Sequence, residues 1–106
     1  MARTLISVPK TAAAGEIVTI KTLISHPMET GFRPGADGRI MARDIITDFT
    51  CLYDGEEVFR AETFPATAAN PYLTFTTRAT RTGTLSFIWR GDNGFEQTET
   101  ATLTVT

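Results

Sequence analysis

Along most of this chain apolar and polar residues alternate with a period of two. Leu73, Phe75 and Thr77 alternate with Thr74, Thr76 and Arg78; Leu85, Phe87 and Trp89 alternate with Thr84, Ser86 and Arg90; Ala101, Leu103 and Val105 alternate with Thr100, Thr102 and Thr104. Successive side chains of a strand point to opposite faces, so each run predicts a strand with one apolar face and one hydroxyl-rich face. Upstream the pattern is richer. Val18, Ile20 and Ile24 share one parity while Ile17 and Leu23 occupy the other, and Ile45, Phe49, Cys51 and Tyr53 share a further one. Strands apolar on both faces are either central or turn their second face toward something outside the domain. Helix-period patterning is absent from any stretch long enough for a helix.

Turn residues fall between these runs. Asp54-Gly55, Thr82-Gly83 and Gly91-Asp92-Asn93-Gly94 read as hairpin turns, and Pro65 with Asn70-Pro71 brackets a longer connection. Strands are therefore expected near residues 4–8, 16–25, 44–53, 57–63, 72–79, 84–90 and 95–105. About seven short strands with turns between them predict an all-β antiparallel sandwich. An antibody-type Cys…Trp…Cys core is missing, which leaves Trp89 as a core filler. One segment breaks the alternation. From His26 to Arg43 the chain holds three glycines and two prolines. Asp37-Gly38 can close a small hairpin within it. At about 18 residues the segment exceeds most connections, and such loops are often functional.

Composition narrows the function classes. The 106 residues amount to one domain, taken as 1–106, and 20 of them are threonine, which favours strands. Lys+Arg 10 against Asp+Glu 12 gives a net charge of −2, without the basic excess of a duplex nucleic-acid binder. One cysteine excludes an intramolecular disulfide, and one histidine excludes a multi-histidine metal site within the chain. No apolar run approaches the roughly 20 residues that span a bilayer. Leu5–Val8 is too short for a signal-peptide core, so the residues alone give the cytoplasm as the default location.

Few residues remain as candidates for chemistry. His26 with Glu29 has the composition of an acid/base pair, but a histidine at a strand end before Pro27 more often hydrogen-bonds backbone. Cys51 lies mid-strand with Phe49 and Tyr53, and no cation on its face lowers its pKa, so it reads as a small buried hydrophobe. Gly91-Asp92-Asn93-Gly94 shares residue types with a calcium loop but is too short for one. Neither a catalytic, a cofactor nor a metal constellation is expected. Arg33, Arg39 and Arg43, diluted by Glu29 and Asp37, can meet an anion or an acidic partner. Met28, Phe32 and Met41 put flexible apolar groups in the same loop, where they either form a contact surface or fold back over the end of the sandwich. The partner-contact candidates are thus His26, Met28, Glu29, Phe32, Arg33, Arg39, Met41 and Arg43.

Lys21-Thr22-Leu23-Ile24-Ser25-His26-Pro27-Met28-Glu29-Thr30-Gly31 closely resembles the signature of the SoxZ family, the small subunits of the SoxYZ sulfur carrier of bacterial thiosulfate oxidation. Phe49-Thr50-Cys51 with Tyr53-Asp54-Gly55, and Asn70-Pro71-Tyr72-Leu73-Thr74-Phe75, resemble later family segments. The resemblance implies an immunoglobulin-like sandwich and a non-catalytic subunit without cofactor. It implies pairing with SoxY, which bears the sulfur cargo on a cysteine of a glycine-rich C-terminal arm, and transient contacts with other Sox enzymes. It also implies a periplasmic location reached by co-export with SoxY. This chain ends in Thr102-Leu103-Thr104-Val105-Thr106, without Gly or Cys, so it is not expected to carry the cargo. A generic immunoglobulin-like binding module is the second reading. An enzyme using His26 and Glu29 is the third.

Overall fold

The computed structural model describes residues 2–106. Eight strands follow one another: β1 (Thr4–Ser7), β2 (Thr11–Ala12), β3 (Ile17–Ile24), β4 (Ile46–Tyr53), β5 (Glu56–Glu62), β6 (Tyr72–Arg78), β7 (Gly83–Gly91) and β8 (Glu96–Val105), with one 3₁₀ turn at Asp92–Gly94. They form a three-stranded sheet, β1-β3-β6, and a five-stranded sheet, β2-β8-β7-β4-β5, packed as a sandwich. All pairings are antiparallel except β2 with β8. The seven expected strands are all present. The alternation did not reveal β2, because two residues carry no period. It forms where the chain crosses from one sheet to the other and lays Thr11 and Ala12 beside Thr104 and Val105.

The turns are built as their residues demand. Asp54 and Gly55 both have positive φ, 49° and 84°, the geometry of a two-residue hairpin loop whose twist suits the flanking strands. The Asp54 carboxylate accepts the Thr84 N–H at 2.8 Å and the Arg81 Nε–H at 2.8 Å, tying this hairpin to the start of β7. Beside it the buried Tyr53 hydroxyl donates to the Arg81 carbonyl and accepts the Thr80 and Arg81 amides. At the other end of β4 the pairing with β7 shifts between Ile46 and Asp48. This bulge lets the neighbours Ile45 and Ile46 both be buried. Gly91 makes room for it, since a Cβ there would meet the Ile45 carbonyl oxygen.

Phe49 is the centre of the core. It is fully buried and its ring lies 5.2 Å from Trp89, 5.9 Å from Phe75, 6.2 Å from Phe59 and 6.4 Å from Phe87. Phe59 of β5 and Phe75 of β6 stack at 4.3 Å with planes 3° apart and close the seam between the two sheets. Cys51 lies among these groups with no exposure, and burial pushes its thiol pKa up to about 12. Replacing Phe49 by Ala removes contacts with both sheets at once. The expected loss is about 3–5 kcal/mol of unfolding free energy, measured by equilibrium denaturation.

Candidate functional site

The 26–43 segment leaves the sandwich between β3 and β4 and is a two-stranded arm rather than an irregular loop. Glu29 and Asp44 exchange both backbone hydrogen bonds, at 2.9 and 2.8 Å. The Met41 N–H donates to the Arg33 carbonyl at 2.8 Å, and Pro34 bridges Ile40. A tight turn closes the tip. The Gly35 N–H donates to the Arg39 carbonyl at 2.6 Å, and the Asp37 carboxylate accepts the Arg39 N–H at 3.0 Å. Gly38, with φ 81°, supplies the left-handed position there. The hairpin expected at Asp37-Gly38 is thus formed.

The root of the arm is pinned from inside. His26 is 6% exposed and its Nδ1 accepts the Met28 N–H at 3.0 Å. That bond requires an unprotonated Nδ1, so the ring carries its proton on Nε2, which faces the Asp44 carboxylate at 4.0 Å. The Phe95 ring packs edge-on against the imidazole, 5.3 Å between centroids. Met28 has φ 54°, an uncommon backbone for a side chain of its size, and the imidazole bond holds it there. The same turn sends the Met28 thioether inward, where Sδ accepts the buried Ile46 N–H at 3.2 Å. Asn70 clamps the strand side: its Oδ1 accepts the His26 N–H at 2.9 Å, and its own N–H donates to the His26 carbonyl at 2.7 Å.

The structure therefore divides the sequence candidates into three groups. His26 and Met28 are buried anchors. Glu29, Arg33 and Arg43 are spent on ion pairs: Arg33 reaches Glu29 at 2.6 Å, and Arg43 makes a bidentate pair with Asp92 at 2.8 and 2.9 Å. The Asp92 carboxylate also accepts the Ile45 N–H at 3.1 Å, so the arm is bolted to the β7–β8 turn. Phe32, Arg39 and Met41 are what the arm offers outward, with Phe32 77% exposed. Met28 does fold back over the end of the sandwich, whereas Phe32 does not. His26 and Glu29 are not brought together as an acid/base pair, since each is engaged elsewhere. Arg39 is the arginine of the three with no carboxylate partner among the described residues.

Sequence reasoning missed Ile40, 60% exposed beside Met41, and the supporting Asp44, Asn70, Asp92 and Phe95. Ile40-Met41 in a polar loop was a readable signal for the first. The others join through contacts distant in sequence, and no local pattern announces them. At the root a cleft of about 340 Å³ runs between Arg43, Asp48, Arg60 and Phe64. Its guanidinium and carboxylate groups are mixed rather than converging on one point. Among the described residues no group of three or more His, Cys, Asp or Glu is placed to hold a metal ion.

The result is a β-sandwich with a pinned arm whose exposed side chains include Phe32, Asp37, Arg39, Ile40 and Met41. The sequence matches the family of the sulphur oxidation protein SoxZ over residues 6–102, and the chain belongs to that family. A comparison with curated protein sequences finds no match. Among solved structures, the sulfur carrier protein SoxY from Chlorobium limicola f thiosulfatophilum superposes with a TM-score of 0.69 at 16% identity, covering 97% of this chain and 78% of that one. A superoxide reductase (neelaredoxin) from Ignicoccus hospitalis gives 0.75 at 18% identity, over 99% of this chain and 82% of that one. A putative superoxide reductase from Thermotoga maritima gives 0.74 at 18% identity, over 97% and 85%. At these identities the likeness is one of fold.

Two outcomes follow from the pinned root. His26→Ala leaves the buried Met28 amide without an acceptor and is expected to cost about 1–3 kcal/mol in equilibrium unfolding, with faster amide exchange along the arm. His26→Asn restores an acceptor and recovers part of the loss. The second outcome concerns acid. Hydrogen bonding to Arg33 holds the Glu29 carboxyl below its ordinary range, bonding to the Thr84 amide and Arg81 does the same for Asp54, and bonding to Arg43 and the Ile45 amide does so for Asp92. Groups with depressed pKa values stabilise the fold above their unfolded values and lose that contribution as pH falls through the folded ones. Through these three carboxylates the thermal midpoint is therefore expected to fall as the pH drops below about 4. Asp92→Asn should make that fall shallower.

Proposed function

We propose that this SoxZ-family chain is a non-catalytic scaffold subunit of a sulfur carrier. It pairs with SoxY so that the cysteine-bearing arm of that partner can present thiosulfate-derived sulfur to Sox enzymes. The observation that carries the reading is how the arm's reactive side chains are used. His26 holds backbone, Glu29 and Arg33 hold one another and Arg43 holds Asp92, and the exposed remainder, Phe32, Arg39, Ile40 and Met41, has the chemistry of a protein contact. The family match supports the sulfur-oxidation context. The buried, weakly acidic Cys51 supports leaving the cargo to SoxY.

Within this assignment the arm tip is the contact for the enzymes that visit the carrier. Arg39 supplies the guanidinium there, because Arg33 and Arg43 are already paired with Glu29 and Asp92. The Asp37 carboxylate at the same tip accepts the Arg39 backbone N–H, so what the tip offers a partner is an unpaired guanidinium beside exposed apolar groups, able to pair with a carboxylate, rather than a net positive charge. The working location is the periplasm, reached together with SoxY.

The test is co-expression with a tagged SoxY from the same sulfur-oxidation system. A stable one-to-one complex in gel filtration is expected, and the periplasmic fraction should contain this chain only when SoxY is present. Two separate monomers at micromolar concentration would sink the assignment. Turnover of thiosulfate or sulfite by the isolated chain, lost in His26→Ala, would replace it with an enzymatic one.

A further inference from the structure

The outer face of the three-stranded sheet is dressed unlike a solvent face. β3 is its central strand, yet the side of β3 that turns away from the core carries Ile17 and Leu23. Leu5 of β1 stands directly opposite Leu23, and Leu23 directly opposite Tyr72 of β6. The three form one continuous apolar row across the sheet. Leu5 is 65% and Tyr72 56% exposed, and a groove of about 350 Å³ runs along the row. The next rows hold Ser7, Lys21 and Thr74, then Thr19 and Thr76, and finally Ile17 beside Arg78. Cross-strand neighbours in register present a flat, ordered surface, and burying an apolar row of this kind is what stabilises an interface core.

The charge on this face selects the occupant. Its two charged residues are Lys21 and Arg78, and no outward-facing position of the three strands is Asp or Glu. Among the described residues neither cation has a carboxylate partner; Arg78 donates only to the Gly15 carbonyl, at 2.7 Å. A local excess of two positive charges stands out on a chain whose net charge is −2. A second copy docked through the same face would set these cations against their own equivalents, because a two-fold contact pairs one patch with itself. Like charges brought together in this way are unfavourable. The face calls for a partner with an apolar strip flanked by carboxylates.

We infer that the outer face of β1-β3-β6, centred on Leu5, Leu23 and Tyr72 and flanked by Lys21 and Arg78, is the surface that seats the SoxY subunit. This rests on the pairing proposed above.

Binding of purified SoxY is measured by titration calorimetry for the wild type and three paired variants. Leu5→Asp with Tyr72→Asp is expected to weaken binding at least tenfold. Lys21→Glu with Arg78→Glu is expected to weaken it several-fold at low salt and to flatten its salt dependence. Phe32→Ser with Ile40→Ser, on the arm, is expected to bind SoxY within twofold of wild type. All six side chains point away from the core, and circular dichroism with thermal melting checks that each variant is folded. Should Leu5→Asp with Tyr72→Asp fail that check, the charge-reversal pair decides alone. Wild-type binding that survives in both face variants overturns the inference while leaving the SoxY pairing intact. Failure of the wild type to bind removes the pairing itself. A self-dimer in sedimentation that Leu5→Asp with Tyr72→Asp dissolves also overturns it, in favour of a second copy.

Discussion

The hydrogen bond from the Met28 amide to the His26 imidazole is the constraint on which the rest of the arm depends. It turns the backbone at Met28 into a left-handed conformation that a methionine rarely adopts unaided. That turn delivers the thioether to the Ile46 amide, beside the bulge that buries Ile45 and Ile46 together. Without the imidazole acceptor, two interior amides would lose their partners in sequence: Met28 directly, and Ile46 through the displaced sulfur. Because the bond is inside the protein it is worth more than an exposed turn contact, and its loss is correspondingly expensive.

From this root outward, rigidity passes to the surface through charge. Glu29 and Asp44 begin the ladder of the arm, the Glu29–Arg33 pair stiffens its base, and the bidentate Arg43–Asp92 pair fastens it to the β7–β8 turn. Exposed ion pairs contribute little stability one at a time. Here their effect is positional: they fix the direction in which Phe32, Arg39 and Met41 are presented. A contact surface held in place before binding loses less conformational entropy when a partner arrives. The outer face of the three-stranded sheet is preorganised by other means, since backbone hydrogen bonds on both sides of β3 set the register of Leu5, Leu23 and Tyr72.

The strands were legible because burial imposes a period of two, and threonine on the polar face reinforced it. The second apolar parity of β3, Ile17 and Leu23, was also legible, and it marks the face later seen to lie outside the core. What could not be read was whatever depends on residues far apart in the chain. Asn70 meets His26 across 44 positions and Asp92 meets Arg43 across 49, and neither pairing has a local pattern. The arginines of the arm looked alike in the sequence, and only their folded neighbours separate Arg39 from Arg33 and Arg43. The role of His26 as a backbone-bonded strand-end residue followed from Pro27. Its particular acceptor atom did not, because that depends on the positive φ of Met28. The short β2 and the bulge at Ile46 escaped for a simpler reason: each is shorter than the period needed to recognise it.

The sealing of Cys51 has a chemical consequence. Thiol–disulfide exchange and persulfide transfer both proceed through an accessible thiolate. Cys51 has neither access nor appreciable ionisation near neutral pH. Toward polysulfide or sulfenyl donors it is chemically silent. A thiol sealed in this way neither takes up sulfur from a donor outside the fold nor cross-links the chain to another protein.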